Sequence, residues 1–356
     1  MVSQAKHPLA SGENRSQLNG PFNLAHDVCG RWAVERSRFA LYYEDESGFA
    51  SAHTFWDIQR QANRLSNVLA ALGTLAGDRV AILLPQRPET AIAHVAIYQL
   101  GGLALPLSQC LGPDALEKRL GDAGAHLAIV DEGSLPQLLP LRERLPQLRH
   151  VIGVGAAVGR GVRGWAAVLE HASTRYTPRL TAADDPAMIL HSDGGGAKGV
   201  TLACQTLLGG LDAFVGAHDA FPQPGDLFWS PADWAERAGL CDGLLPTWLL
   251  GMPLLAYNGR FDAGKAFALI ERYGVRNLLL SPAELRTMRQ AVSEPGAIYD
   301  LDLRTIVCTG EPPADDLCDW ARARLGVTIK GWFGRSPPLS GTRSDAESDR
   351  IPPRCR

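Results

Sequence analysis

Short apolar runs alternate along most of the chain with segments whose apolar residues recur every three or four positions. That pattern marks strands buried on both faces, alternating with amphipathic helices. The runs Val80–Pro85, Leu103–Leu107, Leu127–Asp131 and Val151–Val154 read as strands, and the period predicts helices over 54–72, 88–100, 113–123 and 135–145. A second series has predicted strands at 187–191, 226–230, 253–257, 276–281 and 303–309, with helices between them. In its last clear helix Leu317, Trp320, Ala321 and Leu325 share one face, and Asp315 and Asp316 are the predicted caps. Such alternation predicts an α/β fold with largely parallel sheets.

A Gly/Arg-rich connector at 153–164 divides the two series. The first unit is accordingly placed at 22–181 and the second at 182–334. Residues 1–21 read as a loose arm without the apolar core of a signal peptide. From Arg335 onward, paired prolines with Ser, Arg and Asp leave almost nothing to bury, so 335–356 is expected to be a disordered tail.

Composition narrows the function. A chain of 356 residues with 46% hydrophobic and 21% charged content has the makeup of a soluble globular protein. A net charge of −3 provides no footprint for nucleic acid or an anionic membrane, and no apolar run reaches the roughly 18 to 20 residues that span a bilayer. Seven widely spaced cysteines, without a C-x-x-C pair, read as reduced core residues of a cytoplasmic protein.

The densest candidate chemistry is ILHSDGGGAKGV, Ile189 to Val200. Consecutive glycines let neighbouring backbone N–H groups turn toward one anion, and Lys198 supplies a point charge. The segment from Gln205 to Ala217 reads as a helix whose N-terminus would add partial positive charge to the loop. A plain glycine-rich surface turn is the alternative, since the spacing is not that of an ordinary P-loop. A formal G-x-G-x-x-G at Gly159, Gly161 and Gly164, with Asp184 and Asp185 about 20 residues on, raises a nicotinamide-dependent oxidoreductase as a remote alternative.

With its flanks the glycine loop resembles the phosphate-loop signature of the adenylate-forming enzymes, the acyl-CoA synthetases in particular, and the resemblance runs from about Phe22 to Gly334. It implies the two adjacent doubly wound subdomains of that family's large domain. It also implies ATP, Mg²⁺ and CoA, with a short- or medium-chain carboxylic acid as substrate. On the loop it places Ser192, Gly194, Gly195, Gly196 and Lys198 at phosphate. CTGEPP, at Cys308 to Pro313, resembles the strand-to-turn segment near adenine, which assigns Gly310 and Glu311. KGWFGRSPPL resembles the aromatic-G-Q-T-E strand, so Phe333 takes the stacking position. Trp234, in the acyl-pocket region, is the candidate pocket wall.

Departures are equally specific. Asp193 and Gly194 stand where the family carries threonines, and the loop is about two residues short. Pro337 occupies the position of the magnesium-binding glutamate, so no metal ligand is assigned. No match to the family's β-barrel or lysine-bearing lid domain follows Gly334. The resemblance therefore implies a shortened, catalytically impaired synthetase, or a non-catalytic remnant that binds nucleotide or acyl group.

Overall fold

The structure of the chain, a computed structural model, describes residues 22–191 and 199–332. The strands in chain order are β1 (Phe39–Asp45), β2 (Ala50–Thr54), β3 (Arg79–Leu83), β4 (Leu103–Pro106), β5 (Leu127–Val130), β6 (His150–Gly153) and β7 (Val162–Gly164). They continue with β8 (Pro186–Leu190), β9 (Val200–Ala203), β10 (Phe228–Trp229), β11 (Leu254–Asn258), β12 (Asn277–Leu280), β13 (Thr305–Thr309) and β14 (Ile329–Trp332). Helices are α1 (Phe55–Ala71), α2 (Pro88–Gln99), α3 (Pro113–Ala123), α4 (Leu135–Leu138), α5 (Trp165–Glu170) and α6 (Cys204–Gly209). After them come α7 (Leu211–Ala217), α8 (Arg237–Gly239), α9 (Leu245–Leu249), α10 (Ala263–Tyr273), α11 (Pro282–Ala291) and α12 (Asp315–Trp320).

Two compact units result: Met1–Asp212 with Asp233–Asn258, and Ala213–Ala232 with Gly259–Arg356. This division does not coincide with the line drawn at 181/182 from the sequence, because β8 and β9 hydrogen-bond into the sheet of the first unit.

That sheet has the order β7-β6-β5-β3-β4-β8-β9, parallel except for the β8–β9 pair. The chain runs from β3 to β4 on one side, then crosses back to β5 and outward to β6, which is a doubly wound path. On one face, Ala81, Leu83, Leu105, Ala128 and Val130 pack against Leu116 and Leu120 of α3 and Leu135 and Leu138 of α4. Alternation along the strands sends Val80, Ile82, Leu127 and Ile129 to the other face, where α2 lies against β3 and β4 and α1 covers α2.

α1 starts where its sequence specifies. The Thr54 hydroxyl accepts from the Asp57 N–H at 3.1 Å, while the Asp57 carboxylate accepts from the Thr54 N–H at 3.0 Å. Behind this box Phe55, Ile58, Ala62, Leu65 and Leu69 form the buried stripe. The same unit holds β1 and β2 as an antiparallel hairpin, with β11 parallel to β1.

The second unit carries a parallel ladder of β10, β12, β13 and β14, flanked in sequence by α10, α11 and α12. Its amino-terminal edge is polar inside. The Asp226 side chain is wholly buried and accepts from Arg304 Nε at 2.9 Å and from Arg304 Nη2. Arg304 also donates to the Asn277 side chain, whose oxygen accepts from Thr305 Oγ1 at 2.9 Å. Thr305 in turn meets His218 Nδ1 at 3.0 Å.

Several expectations need correction. The helix expected from 205 to 217 is two helices, α6 and α7. Ala314, not Asp315 or Asp316, is the N-cap of α12, and those acids occupy its first turn, where the helix dipole favours them. Of the cysteines, Cys29, Cys204, Cys308 and Cys318 are buried as expected, whereas Cys110 is exposed. β1 and β2 give no continuous apolar run, since Tyr, Glu and Asp punctuate the first and β2 is half-exposed. No helix among the described residues is long and apolar enough to cross a membrane.

Candidate functional site

The sequence-assigned residues are distributed over both units. Ser192, Gly194, Gly195, Gly196 and Lys198 lie outside the described residues, as do Phe333 and the expected tail at 335–356. The flanks of the loop are described and differ from the sequence reading. β8 and β9 pair antiparallel, Leu190 opposite Val200 and Ile189 opposite Thr201. The helix expected directly after the loop begins only at Cys204, beyond β9. Its N-terminus therefore does not follow the loop directly, and the local argument for phosphate rests on the glycines and Lys198.

Gly199 is required here by packing. A Cβ at this position would stand 2.4 Å from Ile189 Cγ2 and 3.0 Å from two ring atoms of His191. His191 is half-buried, and burial lowers its pKa, with Arg119 pushing the same way and Asp122 opposing. Its Nδ1 has no hydrogen-bond partner among the described residues. Gly199→Ala is expected to destabilise the first unit by about 1–3 kcal/mol through overpacking, measurable as a lower urea midpoint. An unchanged midpoint would show that the β8–β9 pair gives way without cost.

Trp234 belongs to the first unit and is only 1% exposed, enclosed by its surroundings.

In the second unit the geometry converges on one edge. Parallel register places Leu280 beside Cys308 and Thr309 beside Trp332, so the carboxyl ends of β12, β13 and β14 lie together. Gly310 follows β13 with φ +91°, a left-handed conformation that favours glycine, and the space a Cβ would fill is open. Glu311 comes next, accepting from Arg286 Nη2 of α11 at 3.2 Å. β14, whose last residue Trp332 precedes Phe333 in sequence, pairs with β13, which precedes the Gly310–Glu311 turn. Carboxyl ends of parallel strands are where α/β sheets bind ligands.

Two polar clusters, one in each unit, escaped the sequence reading. Ser281 and Glu284 close a capping box at the start of α11, with Ser281 N donating to Glu284 at 2.7 Å and Glu284 N donating to Ser281 Oγ at 3.2 Å. Burial raises the Glu284 pKa and the Ser281 bonds oppose it. This box fixes the helix that carries Arg286, and its S-x-x-E signature after a strand was legible. A second polar cluster sits at the carboxyl ends of β4 and β5, where Gln109 Nε2 donates to Asp131 at 2.7 Å and to Ser134 Oγ at 2.8 Å. Gln109 gives no sequence signal, because its partners come from another strand.

The match to known proteins follows these elements. The AMP-binding enzyme family covers residues 31–336. This chain belongs to that family. Acetyl-coenzyme A synthetase from Streptomyces coelicolor is 29% identical over 342 residues, covering 87% of this chain and 51% of the relative. The Bacillus subtilis acetyl-coenzyme A synthetase is 28% identical over 309 residues, with 85% and 53% covered. Among solved structures, the acyl-CoA synthetase of Brucella canis superposes with a TM-score of 0.83 at 28% identity, over 91% of this chain and 60% of that one. An anthranilate CoA ligase in complex with anthranoyl-AMP, at 21% identity and a TM-score of 0.82, shares the fold. The chain spans about half the length of the curated relatives it matches.

Family membership removes the oxidoreductase alternative. The structure agrees: Gly164 lies within β7, a three-residue strand at the sheet edge, and the helix after it is only six residues long. A dinucleotide turn instead joins a central strand to a long helix at the point where strand order reverses.

Proposed function

We propose that this chain binds ATP as the nucleotide-holding part of a carboxylate-activating, acyl-CoA-forming synthetase and that its own turnover is impaired. The observation that carries the reading is the Gly310–Glu311 turn, open at its Cα and set beside the strand end that leads to Phe333. This turn and Phe333 are assigned to adenine, and the loop residues Ser192, Gly194, Gly195, Gly196 and Lys198 to the phosphates. Trp234 is assigned to the wall of a pocket for a short- or medium-chain acid.

In the chemistry this implies, a carboxylate oxygen attacks the α-phosphorus of ATP, the bond to the bridging oxygen breaks, and pyrophosphate leaves with that electron pair. The sulfur of CoA then attacks the acyl carbon of the acyl-adenylate, the thiol giving up its proton, and AMP leaves with the electron pair of the acyl–oxygen bond. Lys198 would offset charge on the departing pyrophosphate, a contribution made where charge develops. Magnesium does not fit the residues present. Pro337, at the position the resemblance gives to the magnesium-binding glutamate, offers no oxygen ligand from its side chain. Asp193 adds a repulsive charge beside the phosphates. These two positions support the impaired reading.

Calorimetric titration with ATP is expected to show binding that Lys198→Ala weakens by about 1–3 kcal/mol, the worth of a lost charge-assisted bond. With Mg²⁺, CoA and acids from acetate to decanoate, pyrophosphate release should stay at background. Absence of ATP binding by the unaltered protein would refute the nucleotide assignment, and robust turnover would refute the impairment.

A further inference from the structure

In the second unit a row of polar ties joins α11 and its exit to the segment 311–324. Arg286 Nη2 donates to Glu311 at 3.2 Å, and Arg289 Nη1 donates to Asp316 at 2.7 Å. Farther down, Trp320 Nε1 donates to the Ser293 carbonyl at 3.0 Å, and Arg324 Nη1 pairs with Glu294 at 2.7 Å. The ties keep the same order along both segments, as expected of helices that follow neighbouring parallel strands, here β12 and β13.

Three of these ties end on α12 or on the turn Ala321–Leu325 that extends it. The Arg286 tie does not. It reaches Glu311, three residues ahead of the Ala314 N-cap, in the turn assigned to adenine.

That turn has few restraints of its own. Pro312 and Pro313 carry no N–H, and neither Gly310 nor Glu311 donates to a backbone carbonyl among the described residues. Gly310 has φ +91°, and the space at its Cα is open. Arg286, by contrast, stands on a helix whose start is locked by the Ser281–Glu284 box. Its guanidinium therefore gives Glu311 a fixed point to rest on. With side chains 43% and 63% exposed, the pair adds little to folding stability. Its effect lies in ordering the turn before a ligand arrives, which lowers the entropy lost on binding.

We propose that Arg286 is a positioning residue, holding Glu311 and the turn around it in the conformation that receives the base. This inference rests on the adenine assignment above. The test is calorimetry of the full chain with ATP at low ionic strength, together with hydrogen exchange of the nucleotide-free protein at the Gly310, Glu311 and Ala314 amides. Arg286→Gln is expected to weaken ATP binding by about threefold and to speed exchange at these amides. Arg286→Lys keeps the charge and should recover most of the affinity. Arg324→Gln breaks another exposed pair of the same row and should change neither affinity nor exchange at the turn, although its urea midpoint should match that of Arg286→Gln. Equal affinity of Arg286→Gln and the parent, unchanged exchange in Arg286→Gln, or an equal loss of affinity in Arg324→Gln would each overturn this inference while leaving the adenine assignment in place. No ATP binding by the parent would refute that assignment and this inference with it.

Discussion

Asp226→Ala is expected to destabilise the second unit by about 3–5 kcal/mol, the usual penalty for removing one partner of a buried ion pair. Asp226 has no exposed side-chain surface, and its carboxylate is the acceptor for two Arg304 nitrogens, with Arg276 Nη1 a further 3.7 Å away. Truncation leaves Arg304 partly buried beside Asn277, whose Nδ2 already has no partner among the described residues. It also removes the acceptor for the Gln223 N–H at 2.7 Å. Asp226→Asn keeps the shape and part of the hydrogen bonding, so it should lose less. The readout is urea unfolding followed by near-ultraviolet circular dichroism, and equal stability of Asp226→Ala and the parent protein would show that the network contributes nothing net.

Acid is expected to weaken the protein well before ordinary carboxylates titrate. His94 and His218 are buried and their pKa values fall to about 3; burial is the main cause for both, and Arg304 and Lys330 add to it at His218. Released by unfolding, each would titrate near 6.5. The unfolded chain thus binds more protons than the folded one between roughly pH 3 and pH 6.5, so stability is full above 6.5 and declines as pH falls through this window. Between about pH 6.5 and pH 5 each histidine should contribute a loss of about 2 kcal/mol. Half-buried His53, His126 and His191, also lowered mainly by burial, act in the same direction. His218→Gln should flatten the dependence for the second unit and His94→Gln for the first, in unfolding curves recorded across this range. Unchanged slopes in both variants would rule out the histidines as the acid-sensitive groups.

The strand positions and the sheet's parallel character were legible because buried parallel strands are short apolar runs, and Val80–Pro85 or Leu127–Asp131 can be little else. α1 announced its own start through Thr54 and Asp57, two residues three positions apart that cap one another without help from elsewhere. The glycine loop, the Gly310–Glu311 turn and the Pro337 substitution are likewise local facts of the sequence, and the family followed from them.

Tertiary structure decided what depends on partners far along the chain. β9 is a strand because β8 offers it an edge, and without that edge VTLA continues into the helix expected after it. Asp226, Arg304, Asn277, Thr305 and His218 form a network only where strand order places β12 beside β13 and turns their amino ends inward. Arg286 meets Glu311 only once parallel β12 and β13 set α11 beside the turn. Backbone propensity, caps and glycine conformations act within a few residues and can be read locally, whereas burial and ion pairing are properties of what the fold brings together.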